Sequence, residues 1–493
     1  MEQILRELTD NTNIRANLSS LRQLVKEDKN RETACSHLQA NEAMYLGFLH
    51  SEDAKTRKNA ALLFGDLAYQ NALEALYQAY MEEKTLFVRA SYLEAIAQLE
   101  AADKLPALKE ILAQLLETEP EPENKKHVEE EIRALRKIVI QAEGIRRHTA
   151  DIKGKNVKVI LLTNRTQRET IRRTIDCGTA SVHPLGVEVV TDDLEKLMQL
   201  RTYREMVFPL NVDGYLSASP ADAAKGLWES NMMEVLDQLH TEAGAYYFRI
   251  ECKSAMDLEQ RSTFTKKLAS ALESLSKGRL INSTSDYEVE IRLIANKEGL
   301  FIPVLRLLTI QNHRFDYRKN AIAASIHPST AALIMELAKD YLKEDAQIMD
   351  PFCGVGTMLI ERNIKVPARE MYGTDIYGDA IVFARENTQA AGAHVNYIHR
   401  DFMDFKHEYL FDEMITNMPV RGQKTKQEMD QFYSDFFTKV KQHLNKGAVV
   451  IMYTNELGFV KKQLRLHKEF ALQQETCMQP KTDFYLLILG YKG

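Results

Sequence analysis

The run Ala346-Gln-Ile-Met-Asp350-Pro-Phe-Cys-Gly-Val-Gly-Thr357 passes from an apolar stretch to an acid and two glycines within twelve residues. Its first part reads as a buried strand, and the apolar residues beyond Thr357 read as a helix. The turn between them holds Gly354 and Gly356. Glycine lets a backbone bend sharply and approach a ligand that a side chain would keep away. The helix that follows leaves its first N–H groups free for the polar end of that ligand.

Outward from this turn the chain alternates strand and helix. Strands are expected at Met371–Asp375, Val395–Ile398, Glu413–Asn417 and Ala448–Tyr453, with a closing pair around Ala471 and Phe484–Leu489. Helices fill the gaps, at Asp379–Ala391 and Gln427–Leu444. Strands separated by helices specify a parallel sheet, and the last two can add an antiparallel edge. Asp375 ends the second strand 25 residues after Asp350, and Asp401-Phe402 follows the third strand 26 residues later. An acid at the first of these places can accept ribose hydroxyls, as it does in dinucleotide folds. Asn417-Met418-Pro419-Val420 follows the fourth strand.

Asp350-Pro-Phe-Cys-Gly-Val-Gly-Thr357 resembles motif I of class I methyltransferases that act on amino nitrogens. The resemblance implies a seven-stranded, Rossmann-like α/β domain over residues 325–493, with S-adenosylmethionine as cofactor. It implies a cofactor cradle of Asp350, Pro351, Phe352, Cys353, Gly354, Gly356 and Thr357. Asp375 would take the ribose, Asp401 the adenine amino group, and Phe402 would pack on the adenine ring. Asn417-Met-Pro-Val420 resembles the Asn-Pro-Pro-Tyr or Asn-Leu-Pro-Phe box of the same enzymes, which makes Asn417, Met418 and Pro419 the catalytic candidates, with Asn417 also beside the cofactor. The lone pair of an exocyclic amine is delocalised into its base. A side-chain oxygen of Asn417 and the carbonyl of Met418 can accept both N–H hydrogens and align the nitrogen for in-line transfer.

No charged general base is demanded. Cys353 in the turn and Cys477 in a late strand read as inert, since a C5-directed enzyme would need its cysteine in the Asn417 loop. Val420 stands where the box usually carries an aromatic that stacks on the base. Phe432 or Tyr433 could supply that face, and Arg421 could stack or hold a phosphate. Phe432 and Tyr433 equally suit helix packing, and Arg421 a solvated charge. Ile326-His327-Pro-Ser-Thr330 resembles the entry segment of these enzymes, with His327 a site candidate and Thr330 a helix cap.

Residues 155–320 read as a smaller α+β region. Strands are expected at Val157–Leu162, Val187–Val190 and Tyr246–Glu251, with helices at Arg165–Cys177, Leu194–Val207 and Leu258–Leu275. Tyr287, Val289, Ile291 and Leu293 alternate with charged residues, as a half-buried strand does. Leu300–Leu305 is expected to pair with that strand through Lys297-Glu-Gly. The layout resembles the ferredoxin-like plus THUMP arrangement upstream of some RNA methyltransferases. On that resemblance Arg249, Lys253, Arg261, Lys266 and Lys267 would contact phosphates, although charges on a solvated helix face read the same way.

Residues 1–147 read as all-α. Asp53-Ala-Lys-Thr-Arg57 and Lys84-Thr-Leu-Phe-Val-Arg89 each open a helix, their arginines 32 residues apart. This resembles a HEAT-type repeat; a plain helical bundle is the alternative. Thr118–Lys126 reads as an exposed loop, with the domain boundary near Gly144–Gly154. The helical region could serve a protein partner.

The net charge of −6 argues against wholesale nucleic-acid binding and leaves room for a local basic patch. Five scattered cysteines offer no zinc or disulfide spacing, so no metal is expected. The start has no apolar signal core, and no apolar run reaches about 18 residues. A cytoplasmic protein is expected. The whole order resembles the group that makes N2-methylguanosine in tRNA or rRNA. The alternatives are a DNA adenine-N6 methylase and a non-catalytic RNA- or protein-binding scaffold.

Overall fold

The computed structural model describes residues 1–118, 120–145, 147–242 and 244–493. The chain falls into two compact units, Met1–Arg146 and Arg147–Gly493. Among the described residues no helix is long and apolar enough to cross a membrane.

The first unit is helical. Helices Ile14–Leu24, Ala54–Asp66, Leu86–Ile96 and Lys125–Glu143 pack each against the next, and Leu73–Glu82 and Leu105–Glu117 pack beside them. The two arginines of the sequence echo do the same job. Arg57 holds Glu83 at 2.7 Å and donates to the carbonyl of Ser51, six residues back. Arg89 holds Glu131 at 2.9 Å and donates to the carbonyl of Glu83, again six residues back. One pair ties helix Ala54–Asp66 to the end of helix Leu73–Glu82 and the other ties Leu86–Ile96 to Lys125–Glu143, and Glu83 and Glu131 are buried. The expected loop at Thr118–Lys126 contains Glu119, which lies outside the described residues, and the helix begins already at Lys125.

The second unit contains two sheets. In the first, β1 (Lys153–Leu162), β2 (Thr179–His183), β3 (Gly186–Asp193), β4 (Glu205–Pro209), β5 (Tyr246–Lys253), β6 (Leu280–Asn282), β7 (Val289–Ala295) and β8 (Phe301–Leu307) form one mixed sheet in the order β2-β3-β1-β4-β8-β7-β5-β6. β7 and β8 pair antiparallel from Val289↔Leu307 to Ala295↔Phe301 across the expected turn.

Three expectations fail in this region. The helix expected over Arg165–Cys177 is only Arg168–Arg173, and Leu194–Met198 is all that remains of the helix expected to reach Val207. Val207 and Phe208 belong instead to β4 and are both buried, so strand and helix leave the same continuous apolar signature there. Between β4 and β5 the helix Pro220–Glu229, which carries Trp228, is opened by a Ser219 cap and a proline in the first turn. β7 is not half-buried, because Glu288, Glu290 and Arg292 are as deeply covered as Val289 and Ile291. Arg292 bonds to Glu290, to Glu205 at 2.7 Å and to Glu251 at 3.1 Å, so its charge is met from its own strand and from β4 and β5.

The second sheet holds β9 (Gln347–Asp350), β10 (Glu370–Asp375), β11 (Asn396–His399), β12 (Phe411–Asn417), β13 (Leu444–Thr454), β14 (Phe470–Gln479) and β15 (Phe484–Tyr491), in the order β11-β10-β9-β12-β13-β15-β14. β9 to β13 run parallel, while β15 is antiparallel to both β13 and β14. The chain leaves β9 toward β10 on one side and leaves β12 toward β13 on the other. A crevice therefore opens at the carboxyl ends of β9 and β12, where parallel sheets bind ligands. Beneath it Arg362 and Glu413, both fully buried, form a fork with contacts of 2.7 Å and tie the Thr357–Lys365 helix to β12.

Candidate functional site

A cavity of about 510 Å³ lies in that crevice. Its floor is the turn after β9. The N–H of Cys353 donates to the carbonyl of Thr374 at 2.9 Å, which fastens the turn to β10. Gly354 has φ +51° and its N–H donates to the Asp375 carboxylate at 2.9 Å. The other Asp375 oxygen accepts the N–H of Tyr377 at 2.9 Å. The strand-end acid and the glycine turn are thus one rigid piece, and both line the cavity.

Asp350 and Thr357 face the same space. One Asp350 oxygen accepts the N–H of Phe352 at 3.1 Å; the other is buried without a hydrogen bond of ordinary length, as are the hydroxyl oxygens of Thr357 and of Thr416, the latter close enough to Asp350 to favour its charged form. Buried polar atoms are normally hydrogen-bonded, so the Asp350 and Thr357 oxygens mark a place for a donor group. Burial pushes the Asp350 carboxyl up to about 7. A positively charged ammonium group is the ligand end that would satisfy both atoms and return the carboxylate to its ionised form.

Asn417 ends β12 on the same cavity, followed by Met418, Pro419 and Val420. The N–H of Met418 donates to the carbonyl of Tyr453 at 2.9 Å, so the loop stays in the sheet register for one residue beyond the strand. The Met418 side chain is buried, while Val420 is exposed.

Not every expected residue reaches the cavity. Pro351 and Gly356 lie behind it: the Pro351 carbonyl accepts the Thr374 hydroxyl at 2.9 Å, and Gly356 packs against Tyr397. Phe352 and Cys353 do line it, and burial raises the Cys353 thiol well above its ordinary range, which makes it unreactive. Asp401 and Phe402 lie outside it. Asp401 is exposed and accepts the N–H of Met403 at 2.9 Å. The ring of Phe402 is buried against Phe352, Phe405 and Phe436, so it packs against the turn after β9 and offers no face to a ligand.

The aromatic substitutes named for Val420 are also placed elsewhere. Tyr433 is buried with its hydroxyl 2.7 Å from that of Thr454, and Phe432 packs on Phe352 under the Lys424 ammonium. Arg421 donates to the carbonyl of Lys424. The aromatic wall comes instead from Tyr453 and Phe484, stacked with centroids 4.8 Å apart, with Gln479 donating to the Tyr453 hydroxyl at 3.0 Å. These residues come from β13 and the tip of the closing hairpin. The sequence signal available was an aromatic at the first position of the last strand.

The opposite wall is Ile322–Ile326 with His327 and Thr330. His327 rather than Thr330 caps the Pro328–Leu337 helix, accepting the N–H of Ser329 at 3.2 Å. Burial, followed by the charges of Arg204, Arg318 and Arg314, pushes His327 down to about 4, so it is neutral at physiological pH. Arg204, from the end of the segment before β4, also lines the cavity. Of the five cations expected on phosphate, Arg249 is held by Glu290 and lies over the Tyr287 ring, and Lys253 sits 3.6 Å from Glu251. Lys266 and Lys267 are exposed on the Leu258–Ser276 helix, with Arg261 half-buried. Among the described residues no cluster suits a metal ion.

Residues 316–482 match the family of RMKL-like methyltransferase domains. That makes this region a methyltransferase domain. Its cofactor is S-adenosylmethionine. Among curated proteins, a tRNA (guanine(10)-N2)-dimethyltransferase of Methanothermobacter thermautotrophicus is 26% identical over 160 residues, covering 31% of this chain and 46% of that protein. The chain thus spans under half the length of that relative. Two solved structures share the fold. TrmN from Thermus thermophilus matches with a TM-score of 0.50 at 20% identity over 68% of this chain and 99% of its own. SMU.472, solved with SAH, matches with a TM-score of 0.51 at 15% identity over 69% and 99%.

Proposed function

We propose that the chain transfers a methyl group to the exocyclic amine of a base in RNA, guanine N2 of a tRNA or rRNA. The observation that carries this reading is the placement of Asn417, at the end of β12, in the same cavity as the Gly354 turn and Asp375. S-adenosylmethionine supplies an electrophilic methyl group. The chain's own residues then bind and orient. Gly354 brings backbone to the cofactor, Asp375 faces its ribose, and the buried oxygens of Asp350 and Thr357 take its ammonium group. Asn417 and the Met418 carbonyl accept the two hydrogens of the amine and hold its lone pair toward the methyl carbon, a contribution of alignment and fixed dipoles.

Tyr453 and Phe484 provide the apolar face that Val420 does not. The neutral His327 and the loop Ile322–Ile326 close the other side against water. In this reading residues 325–493 are the catalytic domain and 155–320, including Lys266 and Lys267, a THUMP-like region that holds RNA. Residues 1–147 are a HEAT-like helical domain. The match to a tRNA guanine-N2 enzyme supports RNA and guanine among the planar amines that an Asn-x-Pro box can serve.

Nucleoside analysis of RNA from a strain lacking the chain tests this. The expected result is loss of one N2-methylguanosine, restored by the wild-type chain and not by Asn417→Ala. An unchanged RNA profile with lost DNA N6-methyladenine would overturn it.

A further inference from the structure

The helical unit carries a groove of about 830 Å³ between the starts of helices Ile14–Leu24, Ala54–Asp66 and Leu86–Ile96. Its walls present Arg15, Lys55 and Lys58, with Ser19, Asn59 and Phe87, and no carboxylate. The ion pairs of this unit go elsewhere: Arg22 to Asp66, Arg57 to Glu83, Arg89 to Glu131. Among the described residues Arg15, Lys55 and Lys58 make no ion pair. Asp53, which feels the Arg15 charge, has its carboxylate turned to the N–H of Lys55 and to the N–H and hydroxyl of Thr56.

Three cations from two helices therefore converge on one concavity in a chain whose net charge is −6. Cations on a merely solvated face gain nothing by converging, since like charges repel. The helices starting at Ile14 and Leu86 have no side-chain cap, so their first N–H groups add positive potential to the same place. Phe87 gives a flat apolar surface beside these charges. Cations flanking an aromatic suit the backbone and a base of an RNA strand.

We infer that this groove binds the phosphodiester backbone of the RNA substrate, with Arg15, Lys55 and Lys58 on phosphates. The inference rests on the RNA reading above and gives the helical unit a nucleic-acid partner where a protein partner was expected. The experiment uses the full chain and a variant carrying Arg15→Gln, Lys55→Gln and Lys58→Gln. Binding of an unmodified tRNA transcript is measured across salt concentrations, alongside kcat and KM for methyl transfer and the shift in Tm with S-adenosylmethionine.

Each lost phosphate contact lowers the salt slope by about 0.7–0.9, so a loss of about two to three is expected, with affinity at least about tenfold weaker near physiological salt. KM for RNA should rise with kcat and the cofactor-induced Tm shift unchanged, and a Lys55→Arg, Lys58→Arg variant should keep wild-type binding. A triple variant with wild-type affinity and slope overturns the groove while transfer to RNA still stands. A wild-type chain that binds RNA through the groove but transfers nothing to it overturns the activity alone. A wild-type chain that does not bind RNA overturns the groove, and loss of binding only to duplex DNA reassigns it.

Discussion

A Cβ on Gly356 would fall 2.1 Å from the hydroxyl oxygen of Tyr397, so the helix that follows the turn after β9 starts hard against β11. Gly356 also has φ +83°, a conformation that costs a side-chain-bearing residue about 1 kcal/mol or more. Gly356→Ala should therefore destabilise by about 2–4 kcal/mol. Tyr397→Phe removes the clashing oxygen and its 2.8 Å contact with Thr388, at a cost of about 1 kcal/mol. In that background Gly356→Ala should cost less, about 1 kcal/mol of backbone strain together with the remaining 3.1 Å contact to the ring carbon. Equal costs in the two backgrounds, measured by denaturant unfolding, would show that the hydroxyl does not set the packing.

The seven-stranded sheet was legible because each of its parallel strands is a short apolar run ending in a polar residue, and a strand covered on both faces has to read that way. The glycine turn after β9 was legible for a local reason, since its glycines, Asp350 and Thr357 lie within eight residues. What failed depends on partners far along the chain. Arg292 looks like the solvent side of β7, yet it is covered because Glu205 lies 87 residues away and Glu251 lies 41 away. Nothing near Arg292 announces either acid. The cavity wall shows the same limit: Arg204, Gln479 and Phe484 reach the Asn417 loop from segments with no motif of their own. Phe402 was misplaced because a sequence shows which residue follows Asp401 and cannot show which side of the turn its ring takes.

In the proposed reading Asn417 is the residue on which chemistry depends. Asn417→Ala removes one acceptor of the amine hydrogens while leaving the Gly354–Asp375 bond and the buried Asp350 oxygen as they are. Turnover should fall by at least about 10²–10³, the cost of removing one preorganised polar group at a transition state. The cofactor Kd by calorimetry should change less than about threefold, equivalent to about 0.7 kcal/mol. Normal turnover in this variant would end the role assigned to Asn417.

In the proposed reading Asp350 makes cofactor binding depend on pH. Its ordinary value is 3.8, and burial raises it to about 7 in the folded chain. Below 3.8 both folded and unfolded chains hold the proton; between 3.8 and 7 the folded chain alone keeps it. Stability therefore falls as pH rises through this window and levels off above it. An ammonium group beside the carboxylate favours its ionised form, so cofactor binding releases a proton below about pH 7. Affinity should rise with pH up to that point and then flatten. Asp350→Asn should bind more weakly and with no such rise. Calorimetry in two buffers of different ionisation enthalpy reads the released proton directly, and identical profiles for wild type and variant would sink the assignment.

Phe484 should carry the base contact that Val420 lacks. It is half-buried and stacked on Tyr453, so one face is supported while the residue lines the cavity. Stacking of a base on an aromatic is worth about 1–3 kcal/mol. Phe484→Ala should thus lower kcat/KM for RNA by about 5- to 150-fold while the Tm gain with S-adenosylmethionine stays at its wild-type value. Part of that loss would come from the packing Tyr453 gives up, and Phe484→Leu separates the two effects: it restores bulk without a π face. If stacking is the cause, the leucine variant recovers stability and keeps the defect in kcat/KM. Recovery of full activity with leucine would instead make Phe484 a packing residue and leave the base held by the Asn417 loop alone.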